Sequence, residues 1–148
     1  VVETREPGGT KSAEAIRRLL LSGAARALGP EAEAMLFAAA RRDHVERLIA
    51  PQLAAGQWVL CDRFMDSTRA YQGAAGLDEA KIAALEEAAV GETLPDLTII
   101  LDLPAEAGMA RLEARPGPDR FEQDGMAEHR RRRAIFLAIA EREPARCR

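Results

Sequence analysis

Two cysteines and two histidines are all that the 148 residues contain, and each scarcity closes off a class of protein. Cys61 and Cys147 lie far apart, and Cys61 sits inside an apolar run, so reduced thiols in a cytoplasm are expected rather than a disulfide framework. His44 and His129 have no ligand partners at metal-binding spacing, and a structural metal is not expected. No apolar run approaches the roughly 18 residues of a membrane span, and no basic–apolar–small leader opens the chain, so a membrane partner is not expected either. A net charge of −3 excludes a generally basic coat for nucleic acid, though local arginine clusters remain. Internal repeats and low-complexity linkers are also lacking.

What is present suits one globular domain over 1–148: 47% hydrophobic and 30% charged residues in 16.1 kDa, enough material for a core. Near the start stands TREPGGTKS, residues 4–12. A phosphate-binding loop requires Gly-x-x-x-x-Gly-Lys-Ser/Thr, because its backbone N–H groups must curl around phosphate while the lysine reaches the outer oxygens. With Lys11 as that lysine, the glycine positions hold Thr10 and Arg5, so the register fails. The stretch reads instead as a strand, Val1 to Thr4, running into a turn.

Beyond it, helices and strands alternate. Residues 12–22 carry Ala15, Ile16, Leu19 and Leu20 on one expected helical face, with Ser12 as N-cap. Gly29-Pro30 breaks the chain, and residues 31–54 form a long helix with Met35, Phe37, Ala38, Val45, Leu48, Ile49 and Leu53 apolar and Pro51 able to kink or end it. QWVLCDR and LTIILD are short, apolar and β-rich, as buried parallel strands are. A helix over 78–90 lies between them. The pattern predicts an α/β sheet with its site at the carboxyl edge.

Asp62 and Arg63 fall where the first of those strands stops, which favours a ligand-facing role over a solvated ion pair. Phe37 and Arg41 are four apart on a helix and share a face. An aromatic plane beside a guanidinium suits a flat heterocycle bearing an acceptor oxygen, although such a pair is more often core plus surface. RPGPDRFE, residues 115–122, is a Pro/Gly-broken loop with Arg115 and Arg120, either a connector or a phosphate-clamping lid. Arg130 to Arg133 covers every face of a helical turn and reads as solvated surface.

Taken together, TREPGGT, EAEAMLFAAARRDHV, GQWVLCDRFMDSTRAYQG, LPDLTIILDLP and DRFE resemble bacterial thymidylate kinases, in family order and at family spacing across nearly the whole chain. The resemblance implies a P-loop kinase-like α/β fold, a parallel sheet flanked by helices, that transfers the γ-phosphoryl group of ATP to dTMP. It implies that Phe37 stacks on thymine, that Arg41 hydrogen-bonds the exocyclic oxygen with Arg17 nearby, and that Arg63 holds the dTMP phosphate. Asp62 would stand near Mg2+ and its waters, and Glu6 and Pro7 would line the acceptor pocket. Ser67, Thr68 and Gln72 would bound base and sugar, and Tyr71 would lie under the deoxyribose. Arg115 and Arg120 match the lid of a subgroup that carries its catalytic arginine there.

The family's P-loop belongs to an earlier strand, so these 148 residues are expected to lack the central first strand with its phosphate loop and the last strand, and to be inactive alone. A non-catalytic fragment keeping the acceptor pocket or a pairing surface is the alternative, as is a kinase for another nucleoside monophosphate. The family pairs its subunits through helices, so a homodimer is expected, with 31–54 as the candidate surface.

Overall fold

The computed structural model describes residues 1–113, 117, 121 and 124–148. They form two compact units, Val1–Leu94 and Pro95–Arg148.

The first unit is built on two parallel strands, β1 (Val2–Arg5) and β2 (Val59–Asp62), in register Val2 to Val59 through Arg5 to Asp62. The ladder continues past each end through Val2 N–H to Trp58 O (2.7 Å) and Glu6 N–H to Asp62 O (3.0 Å). Exposure alternates along both strands, as the two-residue period of a strand requires when one face is covered and the other open. The expectation of a fully buried strand at QWVLCDR is therefore corrected: Leu60 is 63% and Trp58 81% exposed.

Four helices supply most of the core of this unit. Helix α1 (Lys11–Leu21) buries Ala13 and Leu20, with Ile16 partly covered between them, while Leu19 and Ala15 are exposed. The buried stripe therefore runs at i, i+3, i+7 from Ala13, and the expected face containing Ala15 and Leu19 points outward. The N-cap is Thr10, not Ser12: its hydroxyl oxygen accepts the Ala13 N–H at 3.2 Å and donates its own proton to Asp43 on the next helix. A cap that serves two elements outcompetes a serine already inside the first turn.

Helix α2 (Gly29–His44) starts with Pro30 in its first turn, where the missing N–H would have had no partner anyway. It does not run unbroken to residue 54. Val45–Ile49 widens into a π turn in which the Ala50 N–H reaches back to Val45 O, and α3 (Ala50–Ala54) follows. Pro51 explains this, since a proline ring clashes with the carbonyl four residues earlier and supplies no N–H; one wide turn relieves both while keeping the direction of the helix. Alanines 34, 38 and 40 are buried on α2, and their small side chains let α1 and a later helix approach closely. That helix is α5 (Glu79–Val90), capped by Asp78 through the N–H groups of Ala80 and Lys81. With α4 (Met65–Ala74), it closes a cluster of Ala38, Met65, Ala89 and Val90 against Phe64 and Leu85.

In the second unit, α6 (Ala105–Glu113) packs on α7 (Met126–Arg142). LTIILD was expected as a buried strand, but it is exposed at Leu97, Ile99 and Leu101. It pairs with the last residues through a single parallel bridge, Thr98 to Cys147, with Ile100 N–H to Arg148 O at 2.8 Å. A bridge supplies too few ladder bonds to make a strand. The arginine run is not uniformly solvated either. Arg132 is buried, donating to Phe121 O at 2.9 Å and to the Asp124 carboxylate, while Arg133 grips Asp102 with two bonds of 2.6 and 2.7 Å. That grip holds the Asp102 carboxyl below its usual range.

In the first unit, the Thr10 hydroxyl holds the Asp43 carboxyl below its ordinary value, against the opposing effect of burial and with help from Arg47 at 2.6 Å. A depressed folded-state pKa means that the carboxylate stabilises the fold above its unfolded value and that this contribution is lost as pH falls through the folded value. The urea stability of the protein should therefore exceed that of Asp43→Asn at neutral pH, and the gap should close on acidification from about pH 4 to about pH 2. A gap independent of pH would refute the assignment.

Candidate active site

The carboxyl end of β1 runs directly into a cluster of buried polar side chains. Thr4 and Glu6 are two apart and point to the same side. Arg41 and His44 are three apart on α2 and share a face one turn long. The two pairs meet. Arg41 Nε donates to Glu6 Oε2 at 2.7 Å, His44 Nδ1 lies 3.2 Å from Glu6 Oε1, and His44 Nε2 lies 2.8 Å from Thr4 Oγ1. Arg41 is 3% exposed and His44 fully enclosed. The guanidinium is completed by Thr68 Oγ1, which accepts from Nη1 at 3.1 Å, by Phe64 O, which accepts from Nη2 at 3.3 Å, and by the Phe64 ring 5.5 Å away.

A buried ion pair is favourable only when its remaining donors and acceptors are satisfied. Here three elements, β1, α2 and α4, contribute to that satisfaction. Three of the five N–H donors of Arg41 are engaged by described residues, and each Nη keeps one more. Phe37 lies one turn before Arg41 and is half-buried.

After Glu6 the backbone turns through a cis bond to Pro7 and two glycines with positive φ, Gly8 at +141° and Gly9 at +85°. Glycine is needed at position 9 for a second reason. A Cβ there would stand 2.4 Å from His44 Nε2 and 2.6 Å from Thr4 Oγ1. The turn is fastened by Arg17, which donates to Pro7 O at 2.8 Å, and by Glu14, which accepts from Arg5 at 3.0 Å and from the Gly9 N–H at 3.4 Å.

The carboxyl end of β2 is open. Asp62 and Arg63 are exposed, and Arg63 has φ +67°, a conformation that costs a non-glycine residue on the order of 1–2 kcal/mol. Strain of this kind persists only where the surroundings enforce it, and it concentrates at sites that use it. The Arg63 carbonyl accepts from Cys61 Sγ at 3.0 Å, and its guanidinium lies over the Tyr71 ring, 5.3 Å from the centroid. On α4, Thr68 and Gln72 are buried, while Ser67 and Tyr71 form an adjacent half-buried stripe. Burial pushes the Cys61 thiol up to about 12, with the Glu6 carboxylate adding to the effect. It is therefore a neutral thiol at physiological pH and no nucleophile.

Of the residues expected at a site, Glu6, Arg41 and Thr68 form one cluster, Arg17 and Pro7 a second, and Arg63 and Tyr71 a third. Arg115 and Arg120, the expected lid arginines, lie outside the described residues. His44 was missed because two histidines were weighed only as metal ligands. The signal was its spacing of three from Arg41 on a helix. Among the described residues no group of three or more His, Cys, Asp or Glu could hold a metal ion.

A parallel strand pair flanked by helices, with charged side chains gathered at the carboxyl ends of its strands, has the α/β class of the P-loop kinases, and open sheets of that class receive ligands at such edges. The comparisons with known proteins agree. The family model described as Thymidylate kinase matches residues 1–147. A thymidylate kinase of Caulobacter vibrioides is 62% identical over 148 residues, covering 99% of this chain and 71% of that protein. One from Bradyrhizobium diazoefficiens is 55% identical, with 97% and 65% covered. The crystal structure of a thymidylate kinase from Ehrlichia chaffeensis superposes with a TM-score of 0.80 at 36% identity, over 99% of this chain and 71% of that one. The chain belongs to the thymidylate kinase family. It spans about two thirds of the length of these relatives.

The contact of Gly9 with His44 can be separated from backbone strain by comparing two glycines. Gly56, at the left-handed end of α3 where the Gln57 N–H reaches back to Gln52 O, has φ +73° with open space around its Cα, so Gly56→Ala should cost only the left-handed penalty, about 1–2 kcal/mol. Gly9→Ala adds overpacking and should exceed it by ~1–3 kcal/mol in urea unfolding. Equal losses would show that the turn does not close on the imidazole.

Proposed function

We propose that the protein transfers the γ-phosphoryl group of ATP to dTMP, giving dTDP and ADP. The observation that carries this reading is the fixed guanidinium of Arg41. It is held by Glu6, Thr68 and the Phe64 carbonyl, one turn from Phe37, in a chain of the thymidylate kinase family. A guanidinium that cannot swing, beside an aromatic ring on the same helix face, matches the edge and the plane of a thymine. The N–H groups left on its Nη atoms suit an exocyclic oxygen. Arg17 and Pro7 border that region, and Ser67, Thr68 and Gln72 line the α4 side of it.

The sugar and phosphate then extend toward the exposed strand end. Tyr71 offers a flat surface for the deoxyribose, and Arg63, stacked on that same ring, is aimed by its left-handed backbone toward the acceptor phosphate. In the reaction an oxygen of the dTMP phosphate bonds to the γ-phosphorus as the bond from that phosphorus to the ADP oxygen breaks. Little covalent help is required, so the work of the protein is to position the acceptor and offset charge on the phosphate oxygens. Arg63 does both at the acceptor.

Magnesium would supply further neutralisation across the phosphates. An exposed carboxylate such as Asp62, which among the described residues belongs to no cluster able to hold a metal ion, suits an ion that keeps waters and binds substrate phosphate. In this reading Arg115 and Arg120 offset the charge of the transferring group, and a homodimer through residues 31–54 completes it. No Gly-x-x-x-x-Gly-Lys-Ser/Thr run occurs among these residues, so they are not assigned a phosphate loop of that pattern for ATP.

In a chain of the relatives' full length, Phe37→Ala should raise KM for dTMP by roughly ten- to a hundredfold, since base–aromatic stacking is worth about 1–3 kcal/mol. Arg63→Ala should lower kcat as well as affinity, because its charge orients the attacking oxygen. Unchanged dTMP kinetics in the first variant and unchanged turnover in the second would remove those residues from the site.

A further inference from the structure

His44 is fully enclosed, and nothing in the proposed chemistry uses it. We propose that it is a positioning residue for acceptor recognition: its Nδ1–H bond to Glu6 fixes the carboxylate that in turn fixes Arg41. The inference rests on the reading of Arg41 as the contact to the base. Its footing is the geometry around one carboxylate, where Oε2 accepts from Arg41 Nε at 2.7 Å and Oε1 lies 3.2 Å from His44 Nδ1.

An ionised carboxylate beside a guanidinium can only accept, so Nδ1 must carry a proton. Nε2, 2.8 Å from Thr4 Oγ1, then accepts the threonine proton in the neutral ring. The order of donation is Thr4 to His44 to Glu6, with Arg41 donating to the same carboxylate from the other side. Each link is held by a different constraint. Thr4 is fixed in the β1 ladder, His44 is held by the last turn of α2, and Gly9 closes over the imidazole where no side chain would fit.

Without the imidazole, Oε1 loses its donor and the Glu6 side chain is free to rotate about its own axis. The Nε edge of Arg41 then has no fixed counter-charge, and the Nη edge offered to a base oxygen moves with it. Displacements well under an ångström at such an edge cost recognition first, because the bond to the base is directional. Thr68 and the Phe64 carbonyl hold the other side of the guanidinium, so the effect is loss of aim rather than loss of the arginine.

The test has two arms. In a chain of the relatives' full length, His44→Leu removes the donor, and His44→Asn keeps an amide N–H near the position of Nδ1. The expected result is a rise of about tenfold in KM for dTMP with His44→Leu, KM for ATP moving less than twofold, and recovery of most of that rise in His44→Asn. A dTMP KM that does not move, a parallel rise for both substrates, or an asparagine no better than leucine overturns the proposal. The second arm needs no variant: 15N–1H correlation spectra of the His44 imidazole should show a proton on Nδ1, and a proton on Nε2 alone overturns the proposal even where His44→Leu fails to fold. A parent protein that does not phosphorylate dTMP defeats the functional reading instead, while the tautomer still decides whether His44 is the donor to Glu6.

Discussion

The carboxylate of Glu6 is the constraint on which the packing at the carboxyl end of β1 depends. It is a single buried charge at the end of a four-residue strand, and it is shared by a guanidinium and an imidazole from one helix. Desolvating a carboxylate costs several kcal/mol, and that cost is offset only where both oxygens have donors. The strand end, the last two turns of α2 and the start of α4 are therefore fixed relative to one another by electrostatics as much as by apolar packing. The apolar share is modest, since the apolar residues buried on α2 are all alanine and the other three buried there are Glu33, Arg41 and His44. Small residues bring helices close, but they leave direction to be set by polar groups.

Two kinds of rigidity meet at the carboxyl edge of the sheet. At β1 the chain turns inward, and its arginine partner is almost wholly buried. At β2 the chain turns outward, and Arg63 is exposed in a strained conformation with its charge resting on Tyr71. One edge is thus suited to reading a neutral heterocycle by shape and hydrogen bonding. The other suits a phosphate, whose charge must be met but whose solvation need not be wholly lost. In the proposed reading, burial differs at the two ends because the chemistry to be recognised differs.

Much of this was legible in the residues. The alternation of apolar runs and amphipathic helices gave the α/β class, and the expected helix over 78–90 and the polar end of QWVLCDR marked real boundaries. Other features were hidden for identifiable reasons. The N-cap of α1 is Thr10 because its hydroxyl also reaches Asp43, 33 residues away, and no local pattern carries that information. The π turn before Pro51 is one of several ways a helix absorbs a proline. LTIILD has the composition of a strand, but composition names a preference, whereas a ladder needs a partner, and its described pairing is a single bridge. Arg132 sits in a run of four arginines, and only the turn at Asp124 decides which of the four is buried. Of the site, the positions of Phe37, Arg41, Asp62 and Arg63 could be singled out from spacing and strand ends. The network that holds Arg41 could not, because Thr4, Glu6 and His44 are joined by tertiary contact alone.

The central claim, that Glu6 and Arg41 act as one unit fixing strand to helix, is tested most directly by a double-mutant cycle in urea unfolding with Glu6→Gln, Arg41→Met and the pair. Either single change strands a buried group and should destabilise by roughly 3–5 kcal/mol. The double change should cost less than the sum by about 2 kcal/mol or more. Additive losses, with coupling below about 0.5 kcal/mol, would mean that the two side chains are neighbours rather than partners and would contradict the account.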